Sequence, residues 1–135
     1  MKQIKEIVLT EVECLNHGDL DGVCACYTED VVFEDVSDPS NPAVGMAAFR
    51  ESMAGFFDGF SDLKVDIQRM LLSEDRQAMA IEYILTGTHD GVFAGIAPTG
   101  KKINANACSV YDLRGDLICK ERIYWDMGEI LSQLK

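Results

Sequence analysis

The sequence predicts an α+β domain, in which N-terminal helices lie across a curved antiparallel sheet and form a cone-shaped pocket. Three observations carry this. Apolar residues recur at helical spacing as far as Phe60, and from Leu63 onward the texture turns to alternating, β-branched runs joined by polar turns. No repeat, low-complexity stretch or linker interrupts the 135 residues, so residues 1–135 are expected to form one domain. Helices first and hairpin-linked strands after them place the helices on one face of an antiparallel sheet. Strong curvature of such a sheet leaves a concave apolar chamber, the kind of space that holds a small ligand.

The elements follow in order. Ile4, Ile7, Val8, Val12 and Leu15 make one helical stripe, with Lys5, Glu6, Glu11 and Glu13 expected mostly elsewhere on that helix. Asn16-His17-Gly18 ends it, glycine being the usual residue after a helix. Asp19 caps a second short helix, Leu20 to Tyr27. Val31-Val32-Phe33 reads as a strand and Pro39 to Pro42 as a loop. Gly45 to Phe60 places Met46, Phe49, Met53, Phe56 and Phe57 at helical spacing, a stripe that suits a core. Leu63 to Ile67 alternates with period two, Ser73 to Arg76 is a polar turn, and Ala78 to His89 is a long strand. Gly91 to Gly100 is a Gly/Pro-rich loop, expected to be a mobile rim of the pocket. Lys102 to Leu113 and Leu117 to Trp125 are strands joined by a tight turn at Arg114-Gly115-Asp116, and Met127 to Leu134 adds a terminal helical turn or two.

Composition narrows the function classes. The formal charge is -11, from 23 acidic and 12 basic residues. Nucleic acid and anionic membrane surfaces are poor partners for such a chain, because phosphate binding needs a basic face. No run approaches a membrane span. The N-terminal stretch lacks the apolar centre of a signal peptide, so a cytoplasmic location is expected. Five cysteines, Cys14, Cys24, Cys26, Cys108 and Cys119, are then expected to be reduced. No zinc spacing or histidine cluster is present, so neither a metal nor another cofactor is expected.

Two segments carry a family resemblance. "LNHGDLDGVCACYTEDVVFED", Leu15 to Asp35, resembles the opening of the nuclear-transport-factor-2-like superfamily, in its ketosteroid-isomerase-like and SnoaL-like branch. "PTGKKINANACSVYDLRGDLICKERIYWDMGEILSQL", Pro98 to Leu134, resembles the SnoaL-like branch more closely. The resemblance implies a cystatin-like/ketosteroid-isomerase-like fold. The activity it implies is cofactor-free acid/base chemistry on a small apolar carbonyl compound, either isomerisation or an aldol-type cyclisation as in polyketide cyclases. A non-catalytic ligand-binding module is the alternative, since this fold hosts many functions. In the isomerases an Asp ending the first strand is the general base, and Asp35 holds the matching place. Their oxyanion donors, a Tyr and an Asp, fall here on Glu11 and on Cys108 or Ser109. In the SnoaL-like branch a late Asp serves as acid/base, which implies Asp126, and a preceding-strand histidine is replaced by Asn104, Asn106, Cys108 and Ser109.

Each candidate has a plainer reading. Asp35 also suits a turn, and Asp126 also suits the N-cap of the last helix. Tyr27, Tyr83, Tyr124, Trp125 and Phe56 are candidate pocket walls, although tyrosines also serve as core residues. Asn104 and Asn106 share one face of a strand and would orient a carbonyl ligand or pair across a homodimer interface. His89 ends a strand, where it would serve as a base or stand as a solvated loop residue. Val36 to Ala43 is expected to form a flap beside the pocket mouth.

Overall fold

The computed structural model of the chain describes residues 3–135. The first helix, α1 (Ile4–Asn16), buries Ile4, Ile7, Val8, Glu11 and Val12. Glu11 therefore belongs to the apolar stripe and not to the solvent face, where the sequence reading put it. Gly18 follows the helix with φ +68, the left-handed conformation that glycine tolerates. The Asn16 side chain then acts as a short strand edge: its amide donates to the Val65 carbonyl at 3.0 Å and its carbonyl accepts the Val65 N–H at 2.7 Å. That clamp fixes the end of α1 against the sheet.

The second helix, α2 (Leu20–Cys24), is capped by Asp19, whose carboxylate accepts the Gly22 N–H at 2.9 Å. It stops short of Tyr27, which instead opens strand β1 (Tyr27–Asp35). A five-residue helix containing glycine has little stability of its own. Pairing wins instead, with the Ile118 N–H donating to the Cys26 carbonyl and Tyr27 standing opposite Ile118. A short β2 (Ala43–Val44) follows, then α3 (Met46–Gly59), β3 (Lys64–Leu72), β4 (Ala78–Thr88), β5 (Lys102–Arg114), β6 (Leu117–Tyr124) and α4 (Met127–Ser132). Strand β3 runs past the expected end at Ile67 because a bulge between Ile67 and Arg69 absorbs the break in alternation.

The strands form one curved, unclosed sheet in the order β2-β1-β6-β5-β4-β3. The fold is α+β, as the sequence predicts, and the sheet is mixed. Its pairings are antiparallel except that of β1 with β6, which is parallel and sets Phe33 beside Glu121. The two strands are joined by most of the chain, which gives the long connection that parallel neighbours need.

Strand alternation divides the sheet into two faces. Tyr83, Ser109, Tyr111, Glu121 and Ile123 are buried on the concave face. Asn104, Asn106, Cys108 and Tyr124 lie on the opposite face by the same alternation. Helix α1 packs over β3 and β4, and α3 over β1. Phe49 of α3 is fully buried, with its ring 4.2 Å from Tyr27 and 5.9 Å from Phe33. Among the described residues no helix is long and apolar enough to cross a membrane.

Phe49 ties α3 to β1 at the point where Tyr27 must be held. Phe49→Ala is expected to cost about 3–5 kcal/mol, the usual loss for a buried phenylalanine. Urea unfolding measures this, and a loss under about 1 kcal/mol would show that the helix is held elsewhere.

Candidate active site

Between the helices and the concave face lies a chamber holding about 470 Å³ of empty space, its open mouth included. Its walls come from Val12 and Leu15 of α1, Met53 and Phe56 of α3, Phe33 of β1, and Ile81 and Leu85 of β4. Trp125, just past β6, stands at the mouth, since it also lines a neighbouring surface cleft. The polar residues lining the chamber are Glu11, Tyr83, Tyr111 and Glu121.

The acids are joined by Tyr27. Its hydroxyl is 3.0 Å from Glu11 Oε1 and also hydrogen-bonds to Glu121 Oε1. Glu11, Tyr27 and Glu121 are 3%, 3% and 6% exposed, so these bonds are shielded from bulk solvent. A phenol has one proton to donate. Both bonds form together only if one carboxyl is itself protonated and donates to the phenol oxygen. Burial and the nearby Glu121 push Glu11 up to about 8, and burial pushes Glu121 up to about 7. The pair titrates as a unit, and near neutrality it holds one proton more than two free glutamates would. Desolvation, with the two carboxyls as further causes, holds the Tyr27 phenol well above its ordinary value, so it remains a donor. Ser109 and Tyr83 extend the cluster, their hydroxyls 2.9 Å apart. Glu11 Oε2 is buried without a hydrogen-bond partner. The Tyr111 hydroxyl stands near enough to favour the charged form of Glu11 without making a well-formed bond to it.

The residues singled out from the sequence fall into three places. Tyr27, Tyr83, Phe56 and Trp125 are at the chamber or its floor. Asp35 and Asp126 do not line it; they share the surface cleft beside the mouth with Phe93, Trp125 and Met127. Asp35 is half-buried at the end of β1, where its Oδ1 accepts the Trp125 indole N–H at 3.0 Å, the Ser37 N–H at 2.9 Å and the Ser37 hydroxyl at 2.6 Å. Asp126 is exposed and caps α4, accepting the Glu129 N–H at 3.1 Å. Asn104, Asn106, Cys108 and Tyr124 are on the outer face of the sheet, and Tyr124 is 41% exposed. His89 is not the solvated loop residue considered above: it is fully buried against Phe60. The Thr99 N–H donates to His89 Nδ1 at 3.2 Å, and Nε2 is buried without a hydrogen-bond partner. Among the described residues no group of acidic, histidine or cysteine side chains is arranged to hold a metal.

Sequence reasoning passed over Glu11 as a site and Glu121 altogether. Both carry a legible signal. Glu11 stands at the spacing of the α1 stripe, after Ile7 and Val8, and Glu121 alternates in phase with Ile123 on a core-facing strand.

A curved mixed sheet that walls an apolar chamber under its helices is a ketosteroid-isomerase-like fold. The chain belongs to the SnoaL-like polyketide cyclase family, whose model matches residues 5–134. A candidate polyketide cyclase from Pseudomonas putida KT2440 superposes with a TM-score of 0.90 at 18% identity, covering 100% of both chains. AclR, a candidate hydroxylase from Streptomyces galilaeus, superposes with a TM-score of 0.83 at 24% identity, over 96% of this chain and 93% of that one. A protein of ketosteroid isomerase-like fold from Catenulispora acidiphila DSM 44928, in complex with trimethylamine, gives 0.79 at 14% identity, over 98% and 93%. No curated protein sequence matches the chain.

The acid pair makes stability depend on pH. Unfolded glutamates titrate near pH ~4.3, well below the folded values. Between those limits the folded chain holds more protons, so its stability is fullest below the unfolded value and falls as pH rises through about 7 to 8. The depressed carboxyls of Asp62 and Asp90 act below this window. Thermal melts are expected to drop by roughly 5 °C or more between pH ~5.5 and ~9, and Glu11→Gln is expected to flatten the profile. A wild-type melting temperature that rises over that range would contradict the buried protonated pair.

Proposed function

We propose that this protein is a cofactor-free acid/base enzyme, an isomerase or aldol-type cyclase, acting on a small, largely apolar carbonyl compound. The observation that supports this best is the pair of desolvated carboxyls sharing one phenol at the floor of an apolar chamber. Glu121 accepts the Tyr27 proton and is the carboxylate of the pair, so it serves as base and removes a proton from the carbon beside the carbonyl. Glu11 carries the shared proton, held against the Tyr27 oxygen at rest, and turns it from there toward the enolate oxygen as negative charge develops. A carboxylic acid kept neutral by an apolar site can act as such a donor, as an Asp does in the ketosteroid isomerase example. Proton transfer by a placed side chain contributes typically 10²–10⁴-fold. Asp35 has a positioning role in this scheme, holding the Trp125 indole at the mouth. Asp126 secures the start of α4 beside it.

Deuterium exchange at the central carbon of acetylacetone, followed by proton NMR, tests the reading without a known substrate. The wild-type protein is expected to speed exchange above the buffer rate, and Glu121→Gln to lower that gain by about 10²-fold. Asp126→Asn is expected to leave exchange within about twofold and to cost at most about 1 kcal/mol of stability through the cap. Equal loss from the Glu121 and Asp126 variants would move the chemistry to the surface cleft. A second reading, a non-catalytic small-ligand-binding module, is favoured by the unpartnered Glu11 Oε2. Exchange at the buffer rate in the wild type would select it.

We also propose a homodimer formed through the outer sheet face, where Tyr124 is 41% exposed beside Cys108, its cross-strand partner. Light scattering is expected to give about twice the chain mass of 14.9 kDa, and Tyr124→Glu to lower it toward the monomer. A monomer mass for the wild type would overturn the proposal.

A further inference from the structure

Among the described residues, no lysine, arginine or histidine lines the floor of the chamber to balance its acids. Among the described residues, the titratable groups that face the pair are neutral or acidic: Tyr27 of β1, Tyr83 of β4, Tyr111 of β5 and, beside Glu11 on α1, Cys14. Buried charges are ordinarily paired. Glu11 is 3% exposed and lines the chamber, and its Oε2 is buried without a well-formed hydrogen bond, the Tyr111 hydroxyl being the nearby group. Above it, Phe33, Phe56, Tyr83, Tyr111 and Trp125 line the same space. Ring faces attract cations, most strongly where water is excluded.

We propose that the chamber also takes a small protonated amine with an apolar substituent, the ammonium donating to Glu11 Oε2 and the substituent lying against the aromatic wall. The chemistry selects this class over its neighbours. An alcohol satisfies the lone oxygen but leaves the buried charge unbalanced. A carboxylate or phosphate ester adds a like charge where none is compensated. An ammonium supplies both the hydrogen bond and the countercharge, and it favours the fully ionised pair. The proton shared between the carboxyls therefore leaves to solvent as the amine enters, with no bond made or broken in the ligand. The inference rests on the chamber as described and not on turnover. Such an amine occupies the floor that a carbonyl substrate uses and competes with it.

Calorimetry with three probes of matched body tests this: 2-phenylethylamine, 2-phenylethanol and phenylacetate, at pH ~6.5 and ~8.5. The amine stays protonated at both values. Its affinity is expected to rise at least about fivefold with pH, to exceed that of the alcohol by about tenfold or more at the higher pH, and to show proton release in buffers of different ionisation enthalpy. Phenylacetate is expected not to bind. Glu11→Gln is expected to weaken the amine at least about tenfold while leaving the alcohol within about threefold, which also shows that the chamber is still folded. Asp126→Asn, in the surface cleft, is expected to change nothing. Equal affinity for amine and alcohol, amine binding indifferent to pH or to Glu11→Gln, or no amine binding overturns the proposal. Deuterium exchange that depends on Glu121 while the amine fails to bind keeps the enzymatic reading and removes only this one. Amine binding without exchange does the reverse.

Discussion

One phenolic proton held between two desolvated carboxyl groups is the constraint around which this molecule is built. Tyr27 has a single hydrogen to give, and it faces both Glu11 and Glu121. With water excluded, the arrangement is stable only if a further proton is retained. The same desolvation that makes the cluster costly makes it useful, because it brings carboxyl groups to near-neutral titration where proton transfer in both directions is accessible. A folded core that tolerates two such acids does so because the surrounding apolar packing more than offsets them.

Three elements must agree to bring the cluster together. Helix α1 supplies Glu11, and its angle to the sheet is held by the two hydrogen bonds from Asn16 to Val65. Strand β1 supplies Tyr27, backed by the ring of Phe49. Strand β6 supplies Glu121, placed by parallel pairing with β1 and antiparallel pairing with β5. Glu121 stands beside Phe33 on one side and Tyr111 on the other, so a shift of one residue in either ladder would turn it out of the chamber. The mouth is assembled separately. Trp125 is held by Asp35 and touches Phe56, whose ring is 5.6 Å from Phe93.

Much of this fold was legible from hydrophobic period alone. The stripes of α1 and α3, the long strands β4 and β5, and the tight β5–β6 turn all follow from spacing and turn residues. Where the reading failed, it failed for a physical reason. Tyr27 was assigned to a helix because Leu20 to Cys24 has helical spacing locally, whereas the pairing that claims Tyr27 for a strand comes from Ile118, far along the chain. Glu11 was assigned to solvent because a glutamate is ordinarily outside, although its position in the stripe says otherwise. Asp35 and Asp126 drew attention through their context next to strand ends. Their side chains serve a turn, an indole and a helix cap, and both line one surface cleft beside the mouth.

By itself the sequence determined the class: periodicity and turn chemistry are local properties, so an α+β domain with helices over a curved sheet could be read directly, and quoted segments carried the family. Only the tertiary structure decided which acids meet. Glu11 and Glu121 are far apart in the chain, and neither is unusual by residue type. They become a site because helix packing and strand register exclude water from both and set one phenol between them. That desolvation is a property of the assembled chamber.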